Sequence, residues 1–198
     1  MNSSRRSIHL VPLGEVRDED LRILAESIED QFGLPVTITR NHGLPHYALD
    51  PVRQQYNSNL ILKRLLDDES WPDAVKILGV TDVDLFNPIF SFVFGEAQFK
   101  GKCAVVSSYR LRGNPEHVLP PGCPPLLNRL EKEAIHELGH TFGLRHCSDP
   151  DCVMKYSVGL ACADRKFSFF CPACRELVLW HFQADLSVQI EGNAPQRG

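Results

Sequence analysis

The chain has 198 residues, of which 43% are hydrophobic, and a formal net charge of −4 at pH 7. This length and composition predict one well-buried domain. The acidic balance, without a block of lysine or arginine, argues against a nucleic-acid partner, and no apolar run is long enough to cross a bilayer.

The N-terminal segment 1–14 indicates the cellular compartment. It carries two arginines, but its apolar stretch is interrupted by His9 and Pro12 and is too short for a secretory signal. We therefore expect a cytoplasmic protein without a membrane anchor, in which thiols stay reduced. Seven cysteines are an odd number, which suits metal ligands plus free thiols better than a disulfide framework.

Hydrophobic periodicity predicts strands and helices in alternation through the first half of the chain. Apolar or β-branched runs indicate strands at 7–13, 34–40 and 74–80, the last of the buried kind that a parallel or mixed sheet requires. Apolar residues at helical spacing indicate helices at 17–32, ending at a glycine, and at 53–68.

The second half of the chain begins with two further predicted strands, at 89–99 and 103–108. The segment 113–125 contains five prolines and two glycines, so we expect a long irregular loop, either a cover over a cleft or a passive connector. A C-terminal helix is predicted at 175–188, and the tail 191–198 is expected to be disordered.

Between that loop and that helix lies a candidate catalytic metal site. His136 and His140 are four residues apart in a helical pattern, so both imidazoles lie on one face and can hold one ion. Gly143 suits a turn that brings back His146 as a third ligand. Three imidazoles leave one position for water, which is typical of catalytic zinc, and Glu137 is placed to act as the general base.

A second candidate metal site follows directly. Cys147 and Cys152 form one short-spaced pair, and Cys171 and Cys174 form a C-x-x-C pair. Two such pairs separated by a loop are typical of a structural four-thiolate zinc site. An iron centre or a redox-active pair remains an alternative. Because Cys147 follows His146 directly, we expect the second site to position the third catalytic ligand.

These residues resemble a known family. The run H-E-L-G-H-T-F-G-L-R-H from His136, followed by a methionine, is similar to the metzincin zinc-peptidase signature. The added C-x4-C-x-M and later C-x-x-C resemble the archaemetzincins. The resemblance implies a catalytic zinc on the three histidines, a structural zinc on the four cysteines, and Met154 as the Met-turn floor beneath the histidines. It therefore implies two zinc ions per chain.

The resemblance also implies a fold. We expect an α/β (α+β) metzincin-like zincin with a twisted mixed β-sheet, helices, an active-site zinc helix and a C-terminal subdomain held by the second zinc. Residues 1–190 would form one metallopeptidase domain, divided into an N-terminal subdomain 1–143 and a C-terminal subdomain 144–190. We expect a monomer.

The predicted function is hydrolysis of peptide bonds in peptide or protein substrates, with aminopeptidase activity as the finer expectation from the resemblance. The strand at 89–99 would bound the cleft and pair with an extended substrate. Tyr156 is a candidate oxyanion stabiliser, with packing as the alternative, and Glu96 is a candidate contact for a substrate N-terminus. Two alternatives stay open: a peptide-binding or metal-sensing protein on the same scaffold, and hydrolysis of a non-peptide amide.

Overall fold

The computed structural model describes residues 6–113 and 126–181. Strands and helices alternate through the first part of the chain, and helices dominate the second. In chain order they are β1 (Ser7–Leu13), α1 (Asp18–Phe32), β2 (Val36–Ile38), β3 (Leu49–Asp50), β4 (Gln55–Asn57), α2 (Ser58–Asp67), β5 (Ala74–Thr81), β6 (Leu85–Phe86), β7 (Gly95–Ala97), β8 (Cys103–Ser107), α3 (Leu126–Thr141), α4 (Leu160–Arg165) and α5 (172–181).

The main sheet has five strands in the order β2-β1-β5-β8-β7. The first four strands are parallel, and β7 runs antiparallel to β8 at the end of the sheet. A second, smaller sheet joins β3, β4 and β6. The predicted twisted mixed sheet with helices is therefore confirmed.

Helices cover both faces of the main sheet, because alternate residues along each strand point to opposite sides. One face packs against α1 and α3 through Ile8, Leu78 and Val106, in the same buried cluster as Met154 and Phe170. The other face packs against α2 and Trp71. The central parallel strands β1, β5 and β8 are thus buried on both faces, which explains their continuous apolar runs, whereas the edge strand β2 is partly exposed.

Helix α1 illustrates why the periodic prediction succeeds. Its apolar residues Leu21, Leu24 and Ile28 are buried on one face. The helix ends where predicted, because Gly33 adopts φ 66° and its N–H donates to the Glu29 carbonyl oxygen at 2.8 Å. A left-handed residue that closes the last turn in this way favours glycine.

The strand predicted at 34–40 is shorter, Val36–Ile38, and two other predicted elements differ more from the structure. The helix predicted at 53–68 starts only at Ser58, because residues 51–54 form a turn and residues 55–57 form β4. Asn57 caps this helix by accepting a hydrogen bond from the Asn59 N–H at 3.0 Å. Apolar residues in the turn and in β4 imitate helical spacing, but the cap decides where the helix begins.

The strand predicted at 89–99 is limited to Gly95–Ala97. Before it, the Asn87 side chain accepts hydrogen bonds from the N–H groups of Ile89 and Phe90, at 3.0 and 2.9 Å. These bonds form a local turn that takes the backbone away from the sheet ladder. The aromatic residues of this segment therefore line a loop rather than a strand.

The C-terminal predictions are tested only in part. Residues 172–181 are helical, whereas the rest of the predicted helix 175–188, most of the proline-rich segment 113–125 and the tail 191–198 lie outside the described residues. Among the helices that the structure describes, none is both long and apolar enough to span a bilayer.

Candidate active site and metal centres

Helix α3 and the turn after it bring the three predicted histidines together. The rings of His136 and His140 meet edge to face, with centroids 4.7 Å apart. Gly143 adopts φ 87° directly after the helix, and the chain then returns His146 to within 5.4 and 5.0 Å of the other two rings. One ring nitrogen of each histidine lies within 4.8 Å of the others.

Hydrogen bonds orient two of these rings for metal binding. The Nδ1 atoms of His136 and His140 donate to the carbonyl oxygens of Val153 and Leu144, at 2.9 and 2.8 Å. Since a carbonyl can only accept, the proton of each ring is on Nδ1, and both Nε2 lone pairs face one another at 3.1 Å. Two facing lone pairs repel unless a cation lies beside both, so this donor set fits a metal ion.

Burial supports the same conclusion. Desolvation lowers the pKa of His136 well below its usual value, and Lys166 and His140 lower it further. Desolvation likewise lowers the pKa of the half-buried His140 and, although this residue is largely exposed, that of His146. Neutral imidazole is the form that binds metal, so the surroundings favour the ligand form.

Glu137 lies beside this site, buried under the edge strand of the sheet. A Cβ atom added to Gly95 of β7 would lie only 2.7 Å from the Cγ atom of Glu137. Burial raises the pKa of Glu137 well above its usual value, with smaller contributions from Glu133 and Glu96, and Lys166 opposes the shift. A carboxyl group with a raised pKa beside a catalytic centre is typical of a group that exchanges protons.

A buried ion pair next to Glu137 was missed by sequence reasoning. The Lys166 Nζ atom lies 3.0 Å from a carboxylate oxygen of Glu133, and both side chains are almost fully buried. Glu133 lies one helical turn before Glu137, a spacing that brings the two side chains close together. No sequence signal could have identified Lys166, which lies 33 residues away and also donates to the Lys155 carbonyl oxygen at 3.4 Å.

Met154 and Tyr156, the next two predicted site residues, have different surroundings. Met154 is fully buried against α3, where a Cβ atom on Gly139 would lie 2.5 Å from its sulfur atom. Tyr156 is 50% exposed, and its ring lies 4.8 Å from that of His146. Tyr156 lines the same cavity as the three histidines, and the roles of apolar floor for Met154 and oxyanion stabiliser for Tyr156 stay predictions.

The four predicted cysteines form a second cluster beside the first. One sulfur atom from each lies within 4.8 Å of the others, and the Sγ atoms of Cys147 and Cys171 are 3.8 Å apart. This distance is too long for a disulfide bond. It equals the edge of a tetrahedron with zinc–sulfur bonds of about 2.3 Å, so the cluster fits a four-thiolate zinc site. Cys103 and Cys162, the other cysteines in the described ranges, lie outside the cluster.

A cavity of about 360 Å³ connects the histidines to the edge strand β7. The Ser107 N–H donates to the Phe94 carbonyl oxygen, and the Gln98 N–H donates to that of Cys103, at 2.8 and 3.0 Å. In an antiparallel ladder, residues that bond to the neighbouring strand alternate with residues that do not. The N–H and C=O groups of Gly95 and Ala97 therefore point away from β8, toward the open edge of the sheet. The edge strand predicted to bound the cleft is therefore present, although it is shorter than predicted.

Comparisons with known proteins place the chain in a family. A model described as Peptidase family M54 matches residues 18–179. The chain is 42% identical over 168 residues to the archaemetzincin of Methanocaldococcus jannaschii, a match that covers 84% of this chain and 89% of that protein. It is 40% identical over 153 residues to the archaemetzincin of Methanopyrus kandleri, with coverages of 77% and 82%.

Solved structures agree. The crystal structure of archaemetzincin from Methanopyrus kandleri matches with a TM-score of 0.78 and 34% identity, covering 92% of this chain and 98% of that one. The archaemetzincin of Archaeoglobus fulgidus, complexed with malonate, matches with a TM-score of 0.71 and 33% identity, with coverages of 86% and 99%. The chain therefore belongs to peptidase family M54, the family of the archaemetzincins, which are zinc metallopeptidases.

Proposed function

We propose that this protein hydrolyses peptide bonds with one zinc ion bound by His136, His140 and His146 and with Glu137 as the general base. Membership of a zinc metallopeptidase family implies peptide or protein substrates. The observation that carries the residue assignment is the pair of Nε2 atoms that face one another at 3.1 Å while both Nδ1 atoms are bound to carbonyl groups.

The chain's own residues supply binding and proton transfer. When bound, zinc supplies a water molecule of lowered pKa and polarises the scissile carbonyl group. The Glu137 carboxylate would accept a proton from the attacking water and deliver it to the leaving amine. The main-chain groups of Gly95 and Ala97 hold an extended peptide at the open edge of β7, as strand addition does elsewhere.

Other residues support this arrangement. Cys147, Cys152, Cys171 and Cys174 hold a second, structural zinc, so the proposal includes two ions per chain. The Tyr156 hydroxyl stabilises the oxyanion, and Met154 forms the floor under the histidines.

We further propose one domain over 1–190, with subdomains 1–143 and 144–190, which acts as a cytoplasmic monomer.

The finer proposal is aminopeptidase activity, which the charge of the cavity supports. Among the described residues that line it, Glu96, Glu133 and Glu137 are acidic and none is lysine or arginine. Glu133 is balanced by Lys166, and Glu137 faces the catalytic centre. Glu96 therefore leaves negative charge in the cavity, which attracts the ammonium group of a substrate N-terminus.

Cleavage mapping tests the proposal. A pool of synthetic peptides, each with a free and an N-acetylated form, is incubated with zinc-loaded wild type, Glu137→Ala or Tyr156→Phe, and the products are identified by mass spectrometry. Loss of a general base should lower the rate at least about 100-fold, and Tyr156→Phe should also reduce it. Removal of N-terminal residues only from peptides with a free N-terminus supports an aminopeptidase. Internal cuts in both the free and the N-acetylated peptides contradict that finer proposal.

Two outcomes would contradict the main proposal. Equal cleavage by wild type and Glu137→Ala would remove Glu137 from its assigned role. If zinc-loaded wild type cuts no peptide, the protein is better described as a peptide-binding or metal-sensing protein, or as a hydrolase of other amides.

A further inference from the structure

We propose that the four-cysteine site holds two of the three histidine ligands in place, so that the catalytic zinc depends on the structural one. The inference rests on the metal ligands proposed above. It adds a coupling between the two sites, which is carried by main-chain hydrogen bonds of the segment 152–154.

The first connection orients His136. Its Nδ1 atom donates to the carbonyl oxygen of Val153, the residue directly after Cys152. Val153 is fully buried, and its own N–H donates at 3.0 Å to the carbonyl oxygen of Phe169, two residues before Cys171. The acceptor of His136 is therefore held between two cysteine ligands.

The second connection positions His146. This histidine is exposed and directly precedes Cys147. The Cys147 N–H donates to the Met154 carbonyl oxygen at 3.0 Å, which ties the segment of the third histidine to the residue after Val153. A metal ion bound by both Cys147 and Cys152 would hold the donor of this hydrogen bond, Cys147, and the segment that carries its acceptor, Met154.

His140 has no such dependence. Its Nδ1 atom donates to the Leu144 carbonyl oxygen at 2.8 Å, and the Leu144 N–H donates to the Gly139 carbonyl oxygen at 3.1 Å. Both bonds belong to the last turn of α3 and the residues just after it. Without the four-cysteine site, His140 should keep its orientation, while His136 and His146 lose theirs.

The expected size of the effect follows from the role of such outer partners. Removing the group that orients a metal-bound histidine typically lowers metal affinity about 10- to 100-fold. Coupling between two binding sites is reciprocal. A four-thiolate site binds zinc so tightly that a loss of affinity of about 10- to 100-fold would still leave it filled. The loss of zinc should therefore be visible at the histidine site.

The test is zinc content measured by mass spectrometry at a series of buffered free-zinc concentrations, with circular dichroism to check folding. Cys174→Ser removes a sulfur ligand whose residue takes no part in the connecting hydrogen bonds. We expect the histidine site of this variant to need at least about 10-fold more free zinc than wild type. Cys162→Ser, at a partly buried cysteine outside the cluster, is the matched control and should behave like wild type.

Two further variants keep the test decisive. Val153→Gly retains all four sulfurs but loosens the carbonyl group that accepts from His136. The sulfur-bound zinc should therefore remain, while the affinity of the histidine site for zinc falls. This variant provides the test if Cys174→Ser does not fold. His140→Ala identifies the ions, because it should keep only the sulfur-bound one. A folded Cys174→Ser or Val153→Gly that fills the histidine site at the wild-type zinc concentration overturns the inference. A wild type that never binds two ions contradicts the ligand assignment instead.

Discussion

At the scale of single residues, the approach of Gly95 to Glu137 leaves no room for one added atom. A Cβ atom at position 95 would lie 2.7 Å from the Glu137 Cγ atom and 2.7 Å from the Val105 carbonyl oxygen. The second neighbour is backbone in the middle of a sheet and cannot move away easily. The edge strand therefore covers the proposed general base only because residue 95 has no side chain.

Gly95→Ala should displace the Glu137 carboxylate without disturbing the zinc ligands. A shift of about 1 Å in a catalytic group can lower the rate about 100-fold, so we expect kcat/KM to fall about 10- to 100-fold while zinc content and circular dichroism stay unchanged. Gly159→Ala is the control, because a Cβ atom there meets nothing within 4 Å. Wild-type kcat/KM in Gly95→Ala would show that the contact does not matter.

At the scale of elements, helix α3 is anchored at the end that carries His140. The last carbonyl groups of a helix lack partners within it. The Lys76 Nζ atom of β5 donates to the carbonyl oxygens of Thr141 and Gly101 at 3.0 and 2.9 Å, and the Lys100 N–H donates to that of His140 at 3.0 Å. Because Lys76 is only 7% exposed, water replaces these bonds poorly if the ammonium group is lost.

Lys76→Met should therefore destabilise the protein by about 1–3 kcal/mol, since it leaves buried carbonyl groups without their donor. The measurement is the midpoint of urea unfolding at fixed zinc concentration. Lys63→Met, on the exposed face of α2, is the matched control and should change the free energy of unfolding by less than about 0.5 kcal/mol. Equal midpoints for the two variants would contradict the anchoring role.

At the scale of the whole molecule, buried contacts join the C-terminal segment to the sheet and helices of the N-terminal part. Phe170 packs at right angles to the Phe32 ring, with centroids 5.4 Å apart, and its N–H donates to the Gln31 side chain at 3.2 Å. Arg129 of α3 forms two hydrogen bonds with Asp164, at 2.6 and 2.7 Å. The Glu133–Lys166 pair adds a third connection close to the proposed catalytic centre.

Lys166→Met should destabilise the protein by about 3–5 kcal/mol, because it leaves the Glu133 carboxylate buried without its partner. The double variant Glu133→Gln with Lys166→Met removes the buried charge as well, so it should recover part of that loss. Guanidinium unfolding of both variants and wild type provides the comparison. If the single and double variants lose the same free energy, the pair contributes no charge compensation.

Local patterns predicted much of the fold and most of the candidate site. The boundaries of β1, α1 and β5 follow from apolar periodicity and, at Gly33, from a helix-ending glycine. The residues that converge in the two clusters lie within one stretch of 39 residues, His136 to Cys174, and their spacing is itself a signal. The errors at 53–57 and 89–94 arose where capping and turn hydrogen bonds from Asn57 and Asn87 outweighed apolar periodicity.

The sequence by itself determined the chemistry of this protein: which ligand atoms are present, which lie on one helix face, and which family the chain resembles. Only the tertiary structure decided what surrounds those atoms. It put Gly95 against Glu137, the Val153 carbonyl group against His136, and Lys166 against Glu133. These partners are 17 to 42 residues apart in the chain. Their contacts depend on how sheet, helix and C-terminal segment pack together, and no local pattern records that packing.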